Sequence, residues 1–313
     1  MRKYKTNFLS SKKNRKKKLF LIFISPSKIG EGKGVGLAVK KIIWFMVKLI
    51  SSLQNSMIKN LLLLKEKPRE RKEQNLMVIE GIREIRLALI AGFTVTNLLY
   101  CKALILENDL EELSSVSVSP MDLSEVPVEI YNRIAYRKDY GGAIGLAIPK
   151  RTAFINLKIG SSPLILVLES VEKPGNLGAM LRTADAANLD AVIICDPQTD
   201  IYNPNVIRSS IGCIFTLPVV TCTTPEAITW LRSNNIRMFG TALSSTRFYH
   251  ETDLRGSAAI IMGSEAYGLS KVWLEEADEL IKIPMNGKID SMNVSASAAI
   301  VVFEALRQRK FKW

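Results

Sequence analysis

Histidine is almost missing from the 313 residues, with His250 the single example. A nucleophilic triad built on histidine and a histidine-rich metal site therefore lack their parts. Cysteine is nearly as scarce. Cys101, Cys195, Cys213 and Cys222 show no paired spacing, which argues against a disulfide framework and a bound metal, and for a reduced, cytoplasmic protein. Long apolar runs are lacking too. The stretches at 19–24 and 42–47 fall well short of the roughly 18 to 20 residues that a membrane helix needs, so no membrane association is expected. No small-residue cleavage site follows Ile24, as a signal peptide would require. The glycine-rich string from Gly30 to Gly36 lacks the spacing of a phosphate-binding loop and reads as a flexible linker. No G-x-G-x-x-G follows a strand pattern, which leaves a dinucleotide-dependent oxidoreductase as the weakest class.

Acidic residues are absent from one region in particular. Residues 1–48 hold 14 Lys and Arg against the single acid Glu31, leaving 29 charges of each sign in the remainder. The formal net charge of +13 thus resides in the head, and the body is neutral. Residues 1–48 are expected to be a basic, disordered extension, with 1–45 an upstream segment that is unstructured or untranslated. A nucleic-acid-binding tail is the alternative.

From residue 49 to 149 the pattern is that of a small α/β unit. It has an amphipathic helix at 57–65, a strand at 76–79 broken by Gly81, and a helix carrying Ile82, Ile85, Leu89 and Ile90. Apolar stretches at 95–99 and 104–106, the alternating Val116 and Val118, a helix at 128–134 and a strand at 143–148 complete it. Lys59, Lys65, Lys67, Arg69, Arg71 and Lys72 are the candidates for RNA phosphate contacts, because closely spaced cations release counterions from a nucleic-acid backbone. Glu66, Glu70 and Glu73 interleave them, so a solvated helix end is an equal reading. Residues 150–162 read as a linker. Beyond it, in 163–313, apolar strands at 164–168, 191–195, 217–220, 236–240, 258–262 and 280–283 alternate with helical segments, a pattern that argues for a parallel sheet covered on both faces.

Three loops at strand ends stand out. The first runs from Glu169 to Ala187 and contains Pro174-Gly175-Asn176-Leu177-Gly178-Ala179-Met180-Leu181-Arg182. The second is Gly263-Ser264-Glu265-Ala266-Tyr267-Gly268-Leu269-Ser270. The third runs from Ile283-Pro284-Met285 through Asp290-Ser291-Met292-Asn293 into an apolar helix. In an open parallel sheet ligands sit beyond the carboxyl ends of strands, so the three could converge on one pocket.

In this order the loops resemble the three motifs of the SpoU-type (TrmH-like) RNA ribose 2′-O-methyltransferases of the SPOUT superfamily. The likeness is strong over about residues 160–310 and weaker back to about 50, where Val78-Ile79-Glu80-Gly81 is its most recognisable piece. Met292 stands where leucine is usual and Ser264 where asparagine is common. The resemblance implies a carboxy-terminal parallel-sheet domain with a trefoil knot, preceded by a ribosomal-protein-like substrate domain. It also implies S-adenosylmethionine as methyl donor, ribosomal or transfer RNA as substrate, and a homodimer.

Catalytic roles are carried by resemblance onto Asn176, Arg182, Glu265, Ser291 and Asn293. Arg182 is implied as the base-like group, yet an arginine essentially never gives up its proton, so stabilisation of an oxyanion or phosphate is an equal reading. Asn176 and Arg182, six residues apart, are expected on roughly the same side of one helix. Helix capping is the alternative for Asn176, Ser291 and Asn293, and a surface carboxylate for Glu265. Cofactor binding is implied for Gly240, Thr241, Gly263, Gly268, Leu269, Ile283, Met285 and Met292. The rival classes are a SPOUT enzyme acting on a base, and a catalytically silent RNA-binding or ribosome-assembly protein of the same fold.

Overall fold

The computed structural model describes residues 17–23, 42–136 and 141–311. Two six-stranded sheets organise the chain. The first unit comprises β1 (Lys17–Phe23), β2 (Ile42–Leu49), α1 (Ser56–Glu66), α2 (Pro68–Gln74), β3 (Met77–Glu80) and α3 (Ile82–Ile90). It continues with β4 (Val95–Tyr100), α4 (Glu107–Val116), β5 (Asp122–Glu125), α5 (Val128–Ile134) and β6 (Ala143–Ala147). Its strand order is β1-β2-β5-β4-β6-β3, with β6 antiparallel to both β3 and β4.

Local chemistry sets the helix ends. Asn55 caps α1, its side chain accepting from the Met57 N–H at 2.9 Å, and Ile58, Leu61 and Leu64 recur along one face and are fully buried. Lys67 is extended because a proline follows it, which ends α1 and lets Pro68 open α2 at its first position. Asn75, at φ 50°, ends α2 in the left-handed conformation.

The structure departs from expectation in several places. Residues 17–23 and 42–49 form paired strands instead of an unstructured head, and β2 joins the sheet beside β5 through Lys48 and Leu49. The rest of the expected extension, including the Gly30–Gly36 string, lies outside the described residues. Residues 104–106 form a turn instead of an apolar strand, and where Val116 and Val118 suggested extended chain there is the end of α4.

The second unit contains β7 (Leu164–Glu169), α6 (Pro174–Ala186), β8 (Ala191–Cys195), α7 (Pro204–Ser209), β9 (Val219–Cys222), α8 (Thr224–Ser233) and β10 (Arg237–Thr241). It ends with β11 (Ala258–Met262), α9 (Lys271–Glu276), β12 (Glu279–Ile281) and α10 (Val294–Gln308). All pairings in its sheet, ordered β12-β10-β11-β7-β8-β9, are parallel. Every residue of β7, β8 and β11 is buried, as a sheet covered on both faces demands. The period-2 alternation sorts β7 between two cores. Leu164, Leu166 and Leu168 pack with α6 and α10, whereas Ile165 and Val167 pack with α8 and Trp273 of α9. The strand order reverses at β7, with β8 on one side and β11 on the other, and this is where a ligand crevice is expected.

The two units are bound together tightly. Phe93 packs edge-on against Phe215 at 5.0 Å between ring centroids, and Gly212 lies so close to α3 that a Cβ there would come within 2.9 Å of Leu87. Within the stretch expected as a linker, Phe154 stacks on Trp230 at 5.0 Å.

Two of the expected RNA contacts belong to this framework. Arg71 is 3 % exposed, donating through Nη1 to the Leu64 carbonyl at 2.7 Å and through Nε to Asp200 at 2.6 Å, so it clamps the first unit to the second. Lys65 donates to Glu80 at 3.2 Å and to the Ile134 carbonyl at 2.5 Å. Both are occupied by structural partners that sequence distance concealed. Arg69 pairs with Glu73 on the surface, and Lys59, Lys67 and Lys72 are exposed.

Arg71→Ala is therefore expected to cost about 3 kcal/mol of stability in urea unfolding, because it strands the Asp200 carboxylate at the junction. The slope of RNA affinity against salt should not change. A slope reduced by about one with unaltered stability would make Arg71 a phosphate contact instead.

Candidate active site

The three loops meet. After β7 the chain turns at Ser170, φ 50°, and Pro174 opens α6 with Lys173 at the cap position, whose side chain makes no capping bond. Asn176 is thus the third helical residue, not a cap, and its amide is free to face inward. Its Nδ2 donates to Glu265 Oε1 at 2.5 Å, and its Oδ1 accepts from Asn293 Nδ2 at 3.1 Å. Asn293 also caps α10, its Oδ1 accepting from the Ser295 and Ala296 N–H groups at 3.0 and 3.4 Å. Asn293 is thus the cap of α10 and a lining residue of the cavity at once.

The second loop is a tight turn. Ser264 and Gly268 exchange backbone hydrogen bonds, each 3.0 Å, with Gly268 at φ 68°. Gly263 sits directly against that turn, and a Cβ there would lie 2.1 Å from the Gly268 carbonyl carbon. The Ser270 N–H donates to Glu169 Oε2 at 2.8 Å, tying the loop to the end of β7. Glu169, where the first stretch begins, is buried and makes this tie between the two loops.

A cavity of about 650 Å³ opens between these loops, beyond the carboxyl ends of β10, β11 and β12. Of the residues singled out in the sequence, Asn176, Glu265, Ser291 and Asn293 line it, together with Thr241, Gly263, Gly268, Leu269, Ile283, Met285 and Met292. Two do not. Gly240 lies behind the wall, where a Cβ would meet Leu280 at 2.8 Å and Leu269 at 3.1 Å, so it shapes the cavity from outside. Arg182 is exposed on α6 and does not line the cavity. Six residues at 100° each bring a side chain round to about 120° away, so Asn176 and Arg182 occupy different faces. The guanidinium lies instead toward Cys213, where it partly offsets burial and Asp185, which push that thiol up to about 11. Lys173, Leu243, Tyr267, Lys282 and Asp290 also line the cavity. Lys173, Tyr267 and Asp290 stand inside the motifs and could have been read from them.

The arrangement suits a small polar molecule with apolar parts. Its volume falls within the roughly 300–1,000 Å³ of ligand pockets, and both polar and apolar side chains line it. Glu265 Oε2 is buried and has no hydrogen-bond partner, a free acceptor beside the Asn176 amide. Those features fit S-adenosylmethionine, whose ammonium and ribose need acceptors and whose adenine needs apolar cover. Among the described residues no cluster of histidine, cysteine or carboxylates could hold a metal ion, and no helix is long and apolar enough to cross a membrane.

Comparison with known proteins agrees with this geometry. The SpoU rRNA Methylase family matches residues 163–303, and an MRM3-like substrate binding domain matches residues 55–145. The chain is 32 % identical over 263 residues to the 23S rRNA (guanosine(2553)-2′-O)-methyltransferase RlmP of Bacillus subtilis, covering 82 % of this chain and 98 % of that protein. The 23S rRNA (guanosine-2′-O-)-methyltransferase RlmB of Vibrio vulnificus is 36 % identical over 206 residues, 64 % of this chain and 82 % of that one. Among solved structures, an RNA 2′-O ribose methyltransferase superposes with a TM-score of 0.72 at 38 % identity, covering 84 % of this chain and 99 % of the other. An AdoMet-bound rRNA methyltransferase from Sinorhizobium meliloti gives 0.76 at 27 % identity, covering 83 % and 98 %. A chain with these three loops around one cavity, and with these relatives, belongs to the SpoU rRNA methylase family of SPOUT-type RNA 2′-O-methyltransferases.

Proposed function

We propose that the protein transfers a methyl group from S-adenosylmethionine to the 2′-hydroxyl of a ribose in ribosomal RNA. The observation that carries this is the hydrogen-bonded chain Glu265–Asn176–Asn293, which draws three loops from distant parts of the sequence to one cavity wall. Bound S-adenosylmethionine supplies an electrophilic sulfonium methyl. The backbone of Gly263, Ile283 and Met292 would hold the donor, with Gly268 closing the turn beside it, while Thr241, Leu269 and Met285 would cover it and exclude water. Asn176, fixed through both ends of its amide, orients the ribose. Glu265 fixes the Asn176 amide through Oε1, and its buried, unpaired Oε2 holds negative charge next to the ribose site, which helps draw off the proton of the attacking hydroxyl. Ser291 lines the cavity as a further hydroxyl contact, and Asn293 positions Asn176.

Arg182 has no hydrogen bond or ion pair among the described residues and cannot reach its own chain's cavity wall from its face of α6. We assign it to the cavity of a second copy in a homodimer joined through this unit, where a permanent cation stabilises phosphate or developing oxyanion. The trefoil threading of the last strands and helix, and the division at residues 149 and 163 into substrate-binding and methyltransferase domains, go with the same reading. So does a cytoplasmic setting, which the four unpaired thiols suit.

The test is a ribose-methylation map of total RNA from wild-type and deletion cells. One ribosomal 2′-O-methyl mark should vanish on deletion and return with the gene. An unchanged ribosomal map with a lost transfer-RNA mark would move the substrate, and no lost mark would refute the proposal.

A further inference from the structure

We infer that Tyr267 is the platform on which a nucleobase of the RNA stacks while a ribose is presented for methylation, an inference that rests on the proposed methyltransferase reading. Tyr267 is 88 % exposed, far more than is usual for a ring of its size, and it lines the mouth of the cavity. No aromatic or cationic side chain among the described residues covers its ring. The ring is displayed on a rigid mount. It stands on the turn closed by the reciprocal Ser264–Gly268 hydrogen bonds, and its own N–H donates to Ser264 Oγ at 3.1 Å. Gly263 packed beneath the turn removes the remaining freedom.

Position gives the ring its partner. Glu265, two residues earlier on the same turn, holds Asn176 and lines the cavity. A ribose placed against those groups has its own or its neighbour's base within a few ångströms of the turn's tip. Sequence-specific RNA recognition relies on unstacked bases laid on aromatic faces, and such a face accepts any base. Met292, 42 % exposed on the third loop, adds apolar surface to the same mouth.

The test uses the full chain and two probes, a labelled short single-stranded RNA and the same RNA with a central abasic stretch. Anisotropy titrations compare wild type with Tyr267→Ala, Tyr267→Phe and Tyr267→Trp, and calorimetry gives each protein's affinity for S-adenosylmethionine. Tyr267→Ala is expected to weaken binding of the intact RNA by roughly tenfold or more while leaving the abasic RNA unaffected. Phe and Trp should restore the wild-type value, and donor affinity should stay within about twofold in all four proteins. The inference is overturned if Ala binds intact RNA normally, if both RNAs lose equally, if Phe is no better than Ala, or if donor affinity falls in step. Nucleoside analysis of the methylated RNA is read separately. A protein that shows the stacking pattern but forms no 2′-O-methyl nucleoside would sink the methyltransferase reading and leave the platform standing.

Discussion

Gly263→Ala is expected to weaken S-adenosylmethionine binding by about a hundredfold or more, the largest effect of any single methyl group in the molecule. The added carbon would stand 2.1 Å from the Gly268 carbonyl carbon, 2.3 Å from its oxygen and 2.4 Å from the Leu269 nitrogen. No side chain can move aside, because all three atoms are backbone. The turn must instead open, and opening it breaks the paired Ser264–Gly268 hydrogen bonds, displaces Glu265 and shifts the wall against which the donor lies. Loss of one or two hydrogen bonds to the charged donor, at roughly 1.5–3 kcal/mol each, amounts to about a hundredfold. Global stability should fall by about 1–3 kcal/mol, the usual penalty of overpacking. Gly256→Ala is the control, since nothing lies within 4 Å of its would-be Cβ. Calorimetry with the donor and circular dichroism on the same samples separate the two effects. Unchanged donor affinity in Gly263→Ala would mean that the turn does not bound the donor site.

The second large effect concerns turnover instead of donor binding. Asn176→Ala removes the bridge between Glu265 and Asn293, leaving a carboxylate oxygen without its 2.5 Å donor and an amide without its acceptor. With the donor held, as proposed, chiefly by the second and third loops, its affinity should change by no more than about threefold. The rate constant of methyl transfer should fall by roughly 10²–10³, the scale on which loss of one preorganised polar group is felt. Asn176→Asp sharpens the test, because it keeps the shape but sets a second carboxylate against Glu265 Oε1, and like charges at that distance repel. It should be as damaged as the alanine variant. A wild-type rate in Asn176→Asp would show that the amide donor has no part in the chemistry.

Much of this site was legible in the residues because the chemistry lies in short, contiguous loops. Gly263 through Leu269 reads as a strand breaking into a turn, and the structure confines that whole segment to one wall of the cavity. The apolar runs that became β7, β8 and β11 are buried on both faces and so carry an unmistakable pattern. β5 had no such pattern. Its four residues, Asp122–Glu125, include one strong hydrophobe, and they are a strand because β2 and β4 pair with them. Propensity yielded to tertiary context there. Lys65 and Arg71 failed for a related reason, since nothing local tells a buried cation from a solvated one when its partner, Asp200, lies 129 residues away. The expected shared face of Asn176 and Arg182 failed through geometry. Two turns of helix do not return a side chain six positions on to the same face, and simple angular counting would have shown it. What remained invisible was the bonding of the loops to one another, because the contacts of Asn176 span 89 and 117 residues.

The most direct test of the central claim is to incubate the purified protein with S-adenosylmethionine carrying an isotopic label in its methyl group and an unmodified 23S ribosomal RNA transcript, then digest the RNA completely and analyse the nucleosides by mass. The expected result is label in a ribose, recovered as a 2′-O-methyl nucleoside whose 3′ phosphodiester resists alkali, and lost in Asn176→Ala. Label found on a base, or RNA left unlabelled by a protein that binds the donor, would contradict it.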